Sequence, residues 1–247
     1  MKPRGLLFFH QGWTDIFNSL GLISWYLKTY ETLTVLIRMD AIPLMDFYCM
    51  QFGDRVELDF RPKELLDRMC DFSGVECDLL LHGINDIFRT DDYKNAYVRS
   101  NEQIFVNTFY TFYDIPAETR ISHFQIERDV QLEEEKYNQF VQHYGTHYRL
   151  AHFIKPLSSE DSTLQTVDLN QTSDNFFDSI QILQNAKEFH LVDSSWAALV
   201  YLLDTKYGLF QSTPVHIYCA RKYIEMFSNP VKLPNWTLHI LSENNSM

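Results

Sequence analysis

A strand, a turn and a helix predicted over residues 188–203 carry side chains suited to holding a phosphate. Phe189–Val192 forms an apolar strand, Asp193-Ser194-Ser195 forms the turn, and Trp196–Leu203 continues at helical spacing. Ser and Asp are favourable N-cap residues because their oxygens accept N–H groups of the first helical turn. The remaining N–H groups and the positive end of the helix dipole attract anions. The segment therefore indicates a nucleotide-binding protein, with the phosphate held beyond the carboxyl end of a strand.

A second group of polar residues follows the first predicted strand, Leu6–His10, which leads through Gly12 to a helix containing Asp15. His10 ends this strand, and His82 ends another. An imidazole with an ordinary pKa of about 6.5 at either place can bind a substrate or take up a proton. A structural, hydrogen-bonded histidine is the simpler interpretation of His82. The role of His10 stays open, because Gly12 lets the backbone approach a ligand closely.

The elements that position these residues alternate along both halves of the chain. Short apolar runs predict strands at residues 6–10, 33–39, 56–60, 77–82, 146–153, 164–168, 189–192 and, as the last strand, 215–219. Helical spacing and composition predict helices at residues 15–30, 43–52, 62–72, 100–112, 127–142, 175–185 and 196–203. This alternation favours parallel strands joined by crossover helices. We predict an α/β protein with two Rossmann-like lobes facing a cleft, residues 1–116 and 117–247, divided near Pro116.

Composition limits the classes of partner and the compartment. The net charge of −12 over 247 residues opposes sequence-independent binding to nucleic acid and attraction to anionic lipid. The four cysteines show no metal-ligand spacing, so we expect free, mostly buried thiols of a reducing compartment. The N-terminal apolar run is too short for a signal peptide or a membrane span. These observations predict a soluble, cytoplasmic protein without stable membrane insertion.

Two short stretches resemble the GT-B-type glycosyltransferases that use nucleotide sugars, in particular heptosyltransferase-like and fucosyltransferase-like enzymes of compact viral or bacterial type. One is His10–Leu20, where heptosyltransferase-like enzymes have a Gly-Asp turn opening the first helix. The other is Val192–Ala198, where they have an Asp-Thr-Gly-like turn that faces the donor phosphates. The order of elements is also similar over the whole chain. Departures are the separation of Gly12 from Asp15 and the presence of Ser195 where the family often has Gly.

The resemblance implies transfer of a sugar from a nucleoside-diphosphate sugar to a glycan hydroxyl. The transfer would be metal-independent and inverting, and would need no cofactor besides the donor substrate. Asp15 would be the general base that takes the proton of the attacking hydroxyl, with His10 as an alternative base. The competing interpretation of Asp15 is a carboxylate that only stabilises a helix N-terminus. Acceptor contacts are expected from Gly12, Trp13, Thr14 and His82.

The second lobe would hold the donor. Its hydroxyls and turn N–H groups would bind the diphosphate, and positive charge would stabilise the leaving group as the glycosyl bond breaks. Solvated surface charge is the competing interpretation of each basic residue. The candidate donor-binding residues are Ser194, Ser195, Asp193, Lys155, Arg128 and His152.

Two other functions compete with glycosyl transfer. A non-catalytic nucleotide- or glycan-binding protein of the same fold would use the aromatic residues, 15% of the chain, to stack on sugar rings. An oxidoreductase is disfavoured, because the first strand is not followed by the three glycines of a dinucleotide-binding turn. The adjacent acids Asp91 and Asp92 are not clearly preceded by a strand, so we expect a solvated turn there rather than a metal site.

Overall fold

The computed structural model describes residues 4–9, 13–62, 79–81, 108–111, 113–152, 163–172, 175–219 and 234–240. The chain divides into two compact units, Met1–Glu127 and Arg128–Met247. Each unit contains its own parallel sheet, so the predicted α/β class with parallel strands is found in both halves.

The sheet of the first unit has the strand order β3-β2-β1-β4, and all its strands are parallel. The central strand β2 buries Leu33, Val35, Leu36 and Ile37, which explains its nearly continuous apolar sequence. The strands are β1 (Arg4–Phe9), β2 (Thr32–Arg38), β3 (Val56–Arg61) and β4 (Leu79–Leu81). The helices are α1 (Trp13–Tyr26), α2 (Met45–Phe52), α3 (Thr108–Thr111) and α4 (Thr119–Ser122).

The first unit extends beyond the boundary expected near Pro116 because residues 117–127 pack on its first helix. Arg120 is buried and its Nη1 donates to Asn18 Oδ1 at 3.0 Å. Gly21 of α1 lies so close to α4 that a Cβ atom there would meet the Thr119 and Arg120 carbonyl oxygens at 2.8 Å. These contacts attach α4 to α1, and the compact unit therefore ends at Glu127.

The sheet of the second unit has the order β6-β5-β7-β8-β9 and is also entirely parallel. Its strands are β5 (Tyr148–His152), β6 (Gln165–Asp168), β7 (Phe189–Val192), β8 (Val215–Cys219) and β9 (Trp236–Ile240). Its helices are α5 (Val130–Tyr144), α6 (Ile180–Asn185) and α7 (Ser195–Tyr207). Short 3₁₀ segments lie at Leu169–Gln171 and Phe176–Ser179.

Helix α7 is the centre of the second unit. Residues 196–204 are all buried, so the helix is enclosed on every side rather than along one stripe. It ends at Gly208, whose φ of 66° is a left-handed conformation that suits glycine. The buried Asp204 accepts from the Phe210 N–H through Oδ1 and from the Trp236 indole N–H through Oδ2, each at 2.9 Å. This carboxylate fixes the end of α7 to β9.

Two further sequence predictions need correction. Val215–Cys219 is not the last strand, because β9 pairs with β8; β9 is partly exposed and lacks the buried apolar run that marked the other strands. The predicted helix at 43–52 begins as a 3₁₀ segment, Met39–Leu44, which contains Pro43, and becomes α-helical at Met45. Of the cysteines that the structure describes, Cys49 is exposed and Cys219 is buried, and both are free thiols. The predicted helix at 62–72 and most of that at 100–112 lie outside the described residues.

Candidate functional site

The carboxyl edge of the second sheet contains a point where the chain changes direction. The first strand of this unit, β5, lies between β6 and β7, and the later strands continue outward from β7. The strand that follows β5 in the chain and the strand that follows β7 therefore lie on opposite sides of this pair. In open parallel sheets, this divergence leaves a crevice beyond the strand ends, where ligands bind.

Two polar side chains meet at this edge. His152 is the last residue of β5, and Ser194 follows the end of β7. Their Nδ1 and Oγ atoms are 2.9 Å apart. Because β5 and β7 are adjacent in the sheet, the hydrogen bond joins their carboxyl ends. The imidazole is buried, and the serine is half-buried.

Ser194 is also the N-cap of α7. Its backbone is extended, and its Oγ accepts from the Ala197 N–H at 3.4 Å. All hydrogen bonds of the hydroxyl are consistent if Ser194 donates to His152 Nδ1 and accepts from Ala197. The regular hydrogen bonds of the helix begin with the Ala198 N–H, which donates to the Ser194 carbonyl. The N–H groups of Ser195 and Trp196 come before this first bond. The positive end of a buried helix therefore lies at the carboxyl edge of the sheet.

The surroundings of His152 favour its neutral form. Burial lowers the pKa of His152, while the charge of Asp168 and a hydrogen bond with Asn170 act in the opposite direction. Asp168 ends β6, the neighbour of β5 on the other side, and its side chain accepts from the Asn170 N–H at 2.9 Å. At neutral pH, the imidazole is therefore a hydrogen-bonding group that orients Ser194, rather than the cation expected from the sequence.

An aromatic pair lies next to the start of α7. The ring of the partly exposed Phe176 is 4.2 Å from that of the buried Trp196, measured between centroids. Trp196 follows the capping turn directly. The partly exposed ring of Phe176 beside an anion site suits contact with the base or sugar of a nucleotide.

The structure places the other predicted donor residues as follows. Asp193 lies half-buried in the turn after β7, and Ser195 is the first residue of α7. Arg128 forms a two-pronged ion pair with the buried Glu133, and it also donates to Gln184 at 2.9 Å. Its guanidinium therefore binds partners within the protein. Lys155 lies outside the described residues.

The predicted acceptor residues belong to the first unit. Trp13 and Thr14 open α1, and the Thr14 carbonyl accepts from the Asn18 side chain at 2.8 Å. Asp15 belongs to the first turn of this helix, after the carboxyl end of β1. His10, Gly12 and His82 lie outside the described residues.

Sequence reasoning missed Asp168, Asn170 and Phe176. A signal was present for Asp168, which ends a predicted strand and therefore belongs to the same carboxyl edge as His152. No sequence signal could show that β6 and β7 flank β5, because strand order depends on packing in three dimensions. Phe176 lies far from Trp196 in the chain, and only the fold brings the rings together.

Comparisons with known proteins give one structural match and no sequence match. Neither a protein-family model nor a curated protein sequence matches the chain. The fold is similar to the crystal structure of a glycosyl transferase family 9 protein from Veillonella parvula DSM 2008, with a TM-score of 0.50. The similarity covers 98% of this chain and 88% of the other, at 10% sequence identity. At this identity, the match establishes a shared mixed α/β fold with parallel sheets.

The helices were also compared with the length and hydropathy of a membrane span. Among the residues that the structure describes, no helix is both long enough and apolar enough to cross a bilayer.

Proposed function

We propose that this protein is a metal-independent, inverting glycosyltransferase that takes a sugar from a nucleoside-diphosphate sugar. The observation that carries the proposal is the His152–Ser194 hydrogen bond at the start of the buried helix α7. It lies at the strand ends where parallel α/β sheets bind ligands. The fold similarity to a glycosyl transferase family 9 protein supports the same class.

In this proposal, the second unit binds the donor. The diphosphate accepts from the first-turn N–H groups of α7, and His152 holds Ser194 in the capping position. The partly exposed ring of Phe176, which packs on the buried Trp196, provides the adjacent apolar surface. Lys155 is the proposed source of positive charge for the leaving diphosphate, because Arg128 is bound by Glu133.

The first unit binds the acceptor glycan in this proposal, and Asp15 is the general base. Its carboxylate takes the proton of the acceptor hydroxyl as that oxygen attacks the anomeric carbon. Support comes from its position in the first turn of α1, after the carboxyl end of a parallel strand.

A screen of nucleotides tests donor binding. The melting temperature of the protein is measured with UDP-, GDP-, dTDP- and CMP-sugars, and each stabilising donor is then assayed for hydrolysis and for transfer. We expect stabilisation by one nucleotide class and slow hydrolysis of its sugar. No stabilisation by any member of the panel would contradict the proposal.

Asp15→Asn tests the base. We expect the variant to bind donor with unchanged affinity and to lose transfer by about 100-fold or more, because general-base catalysis contributes about 10²–10⁴-fold. Asp46→Asn is the matched control, since Asp46 lies in the first turn of α2 in the same unit. Equal turnover in the two variants would exclude Asp15 as the base.

A non-catalytic nucleotide- or glycan-binding protein is the second candidate. This candidate is favoured because Arg128 binds Glu133 and Gln184. One of the cations predicted to stabilise the leaving diphosphate is therefore already paired within the protein. Such a protein would be stabilised by a nucleotide sugar in the same screen but would neither hydrolyse it nor transfer the sugar.

A further inference from the structure

A cluster of ionisable side chains lies on one face of the second sheet, apart from the carboxyl edge. Glu188 precedes β7, His190 lies within that strand, and His216 lies in the neighbouring strand β8. His190 and His216 are aligned partners in the parallel pairing, so they share a face. His152 is aligned with Leu191 and therefore belongs to the opposite face. The cluster and the candidate donor site are thus separate.

Both imidazoles direct Nε2 toward the same carboxylate oxygen. The Nε2 atoms of His190 and His216 each lie 3.3 Å from Glu188 Oε1. This separation is long for an N–H···O hydrogen bond. Among the residues that the structure describes, none forms a hydrogen bond of acceptable geometry with the fully buried His190 Nε2 atom. An unsatisfied buried nitrogen is costly, so its environment calls for a further partner.

The opposite ring nitrogens are held in place. His190 Nδ1 is 2.8 Å from the Tyr218 hydroxyl, and His216 Nδ1 is 3.1 Å from His239 Nε2. A metal-binding histidine normally has its second nitrogen fixed by such a neighbour, which sets the tautomer and the ring direction. Both rings are therefore arranged with Nε2 as the atom available for coordination.

Two of the three ligand separations fit a tetrahedral ion, and the third requires the imidazole rings to move. Two ligand atoms, each about 2.0–2.1 Å from zinc at a tetrahedral angle, lie about 3.3 Å apart. Both separations from Glu188 Oε1 have this value, and the three ligand atoms lie within 4.8 Å of one another. The rings of His190 and His216 are stacked with centroids 4.8 Å apart, so coordination needs them to tilt toward each other.

The cluster is open to an ion from solvent, and its one carboxylate is shared with an arginine of the protein. Arg149 Nη1 lies 3.4 Å from Glu188 Oε2, which leaves Oε1 directed at the imidazoles. The His216 side chain is 20% exposed, so an ion can reach the cluster from solvent.

We propose that Glu188, His190 and His216 form a site for a divalent transition-metal ion of the zinc type. Two imidazole nitrogens and one carboxylate oxygen suit zinc, with water as the fourth ligand. The ion would join β7 to β8 and stabilise the second unit. This site stands independently of the proposed function, whose donor site lies at the carboxyl edge and whose transfer step uses no metal.

Calorimetric titration of the chelator-treated, full-length protein with Zn²⁺ tests the proposal. We expect one equivalent to bind and to raise the melting temperature. Co²⁺ should give the visible absorption of a tetrahedral site, and Mg²⁺ should not bind. His216→Gln and Glu188→Gln should each weaken Zn²⁺ binding by about tenfold or more. His143→Gln removes an exposed histidine of α5 and should leave binding unchanged.

Two results would overturn the proposal. One is the absence of Zn²⁺ binding by the intact protein, which would mean that Glu188 accepts hydrogen bonds from both imidazoles. The other is binding that persists at full affinity in His216→Gln and Glu188→Gln, which would locate the ion elsewhere. Circular dichroism of each variant verifies folding, and the partly exposed His216 makes its substitution the less disruptive test.

Discussion

Substitution of Ser194 separates its capping role from its role at an anion site. Asn and Asp are both good N-cap residues, so Ser194→Asn and Ser194→Asp should each preserve the start of α7. The two variants differ mainly by one negative charge. A helix that needs only a cap tolerates both, whereas a diphosphate site tolerates only the neutral residue.

The expected size of the effect follows from the geometry. The Ser194 hydroxyl is 3.4 Å from the Ala197 nitrogen, so an anion bound at the first turn would lie within about 6 Å of a carboxylate at residue 194. At this separation and an effective dielectric constant of about 20, one pair of like charges costs about 3 kcal/mol. That energy corresponds to about 100-fold in affinity, and salt screening reduces it.

The assay is calorimetric titration with the nucleoside diphosphate that stabilises the wild-type protein most. We expect Ser194→Asp to bind at least about tenfold more weakly than Ser194→Asn, with similar melting temperatures for the two variants. Gln139→Glu adds the same charge at an exposed position of α5 and should retain wild-type affinity. Equal affinities of the Asn and Asp variants would refute the placement of the diphosphate at this helix.

Three further predictions concern stability. Gly21→Ala should lower the free energy of unfolding by about 1–3 kcal/mol in urea denaturation, because the new Cβ would approach two backbone oxygens at 2.8 Å. Ser24→Ala in the same helix is the control. Equal losses of stability in the two variants would exclude this close contact as the cause. Asp204→Asn should lower the free energy of unfolding by about 1–3 kcal/mol, because an amide NH₂ facing the Trp236 indole N–H leaves that donor unpaired. If the losses of Asp204→Asn and Trp236→Phe simply add in the double variant, the two side chains are not coupled. Burial lowers the pKa of His152 below its unfolded value of about 6.5. The contribution of the neutral imidazole to the free energy of unfolding is therefore fully present above about pH 6.5 and is lost as the pH falls through the folded pKa. Chemical denaturation between about pH 5 and pH 7 should therefore show a weaker pH dependence in His152→Gln, and an unchanged slope would exclude this histidine as a source.

The strands of the second sheet were predictable where a short apolar run is bounded by turn residues. Phe189–Val192 and Val215–Cys219 have the predicted bounds. The helix predicted at 196–203 continues to Tyr207, because its polar final turn is stabilised by the Asp204 carboxylate and by Gly208. The partners of Asp204, Phe210 and Trp236, lie beyond the helix, so this stabilisation leaves no apolar pattern to detect.

The site was predictable only in its local part. The capping role of Ser194 follows from the strand–turn–helix pattern and agrees with the structure. His152 was expected to supply positive charge, but burial and the contact with Ser194 make it a neutral hydrogen-bonding partner. That contact joins residues distant in the chain, and it depends on the adjacency of β5 and β7, which a single sequence does not specify.

NMR of the backbone amides and of the histidine rings during titration with a nucleoside diphosphate tests the central claim most directly. The claim predicts that the largest, saturable shifts occur at Ser195, Trp196 and Ala197 and at the ring of His152, with a common dissociation constant. Saturable shifts confined to residues away from the carboxyl edge of the second sheet would contradict it, as would no response to UDP, GDP, dTDP or CMP.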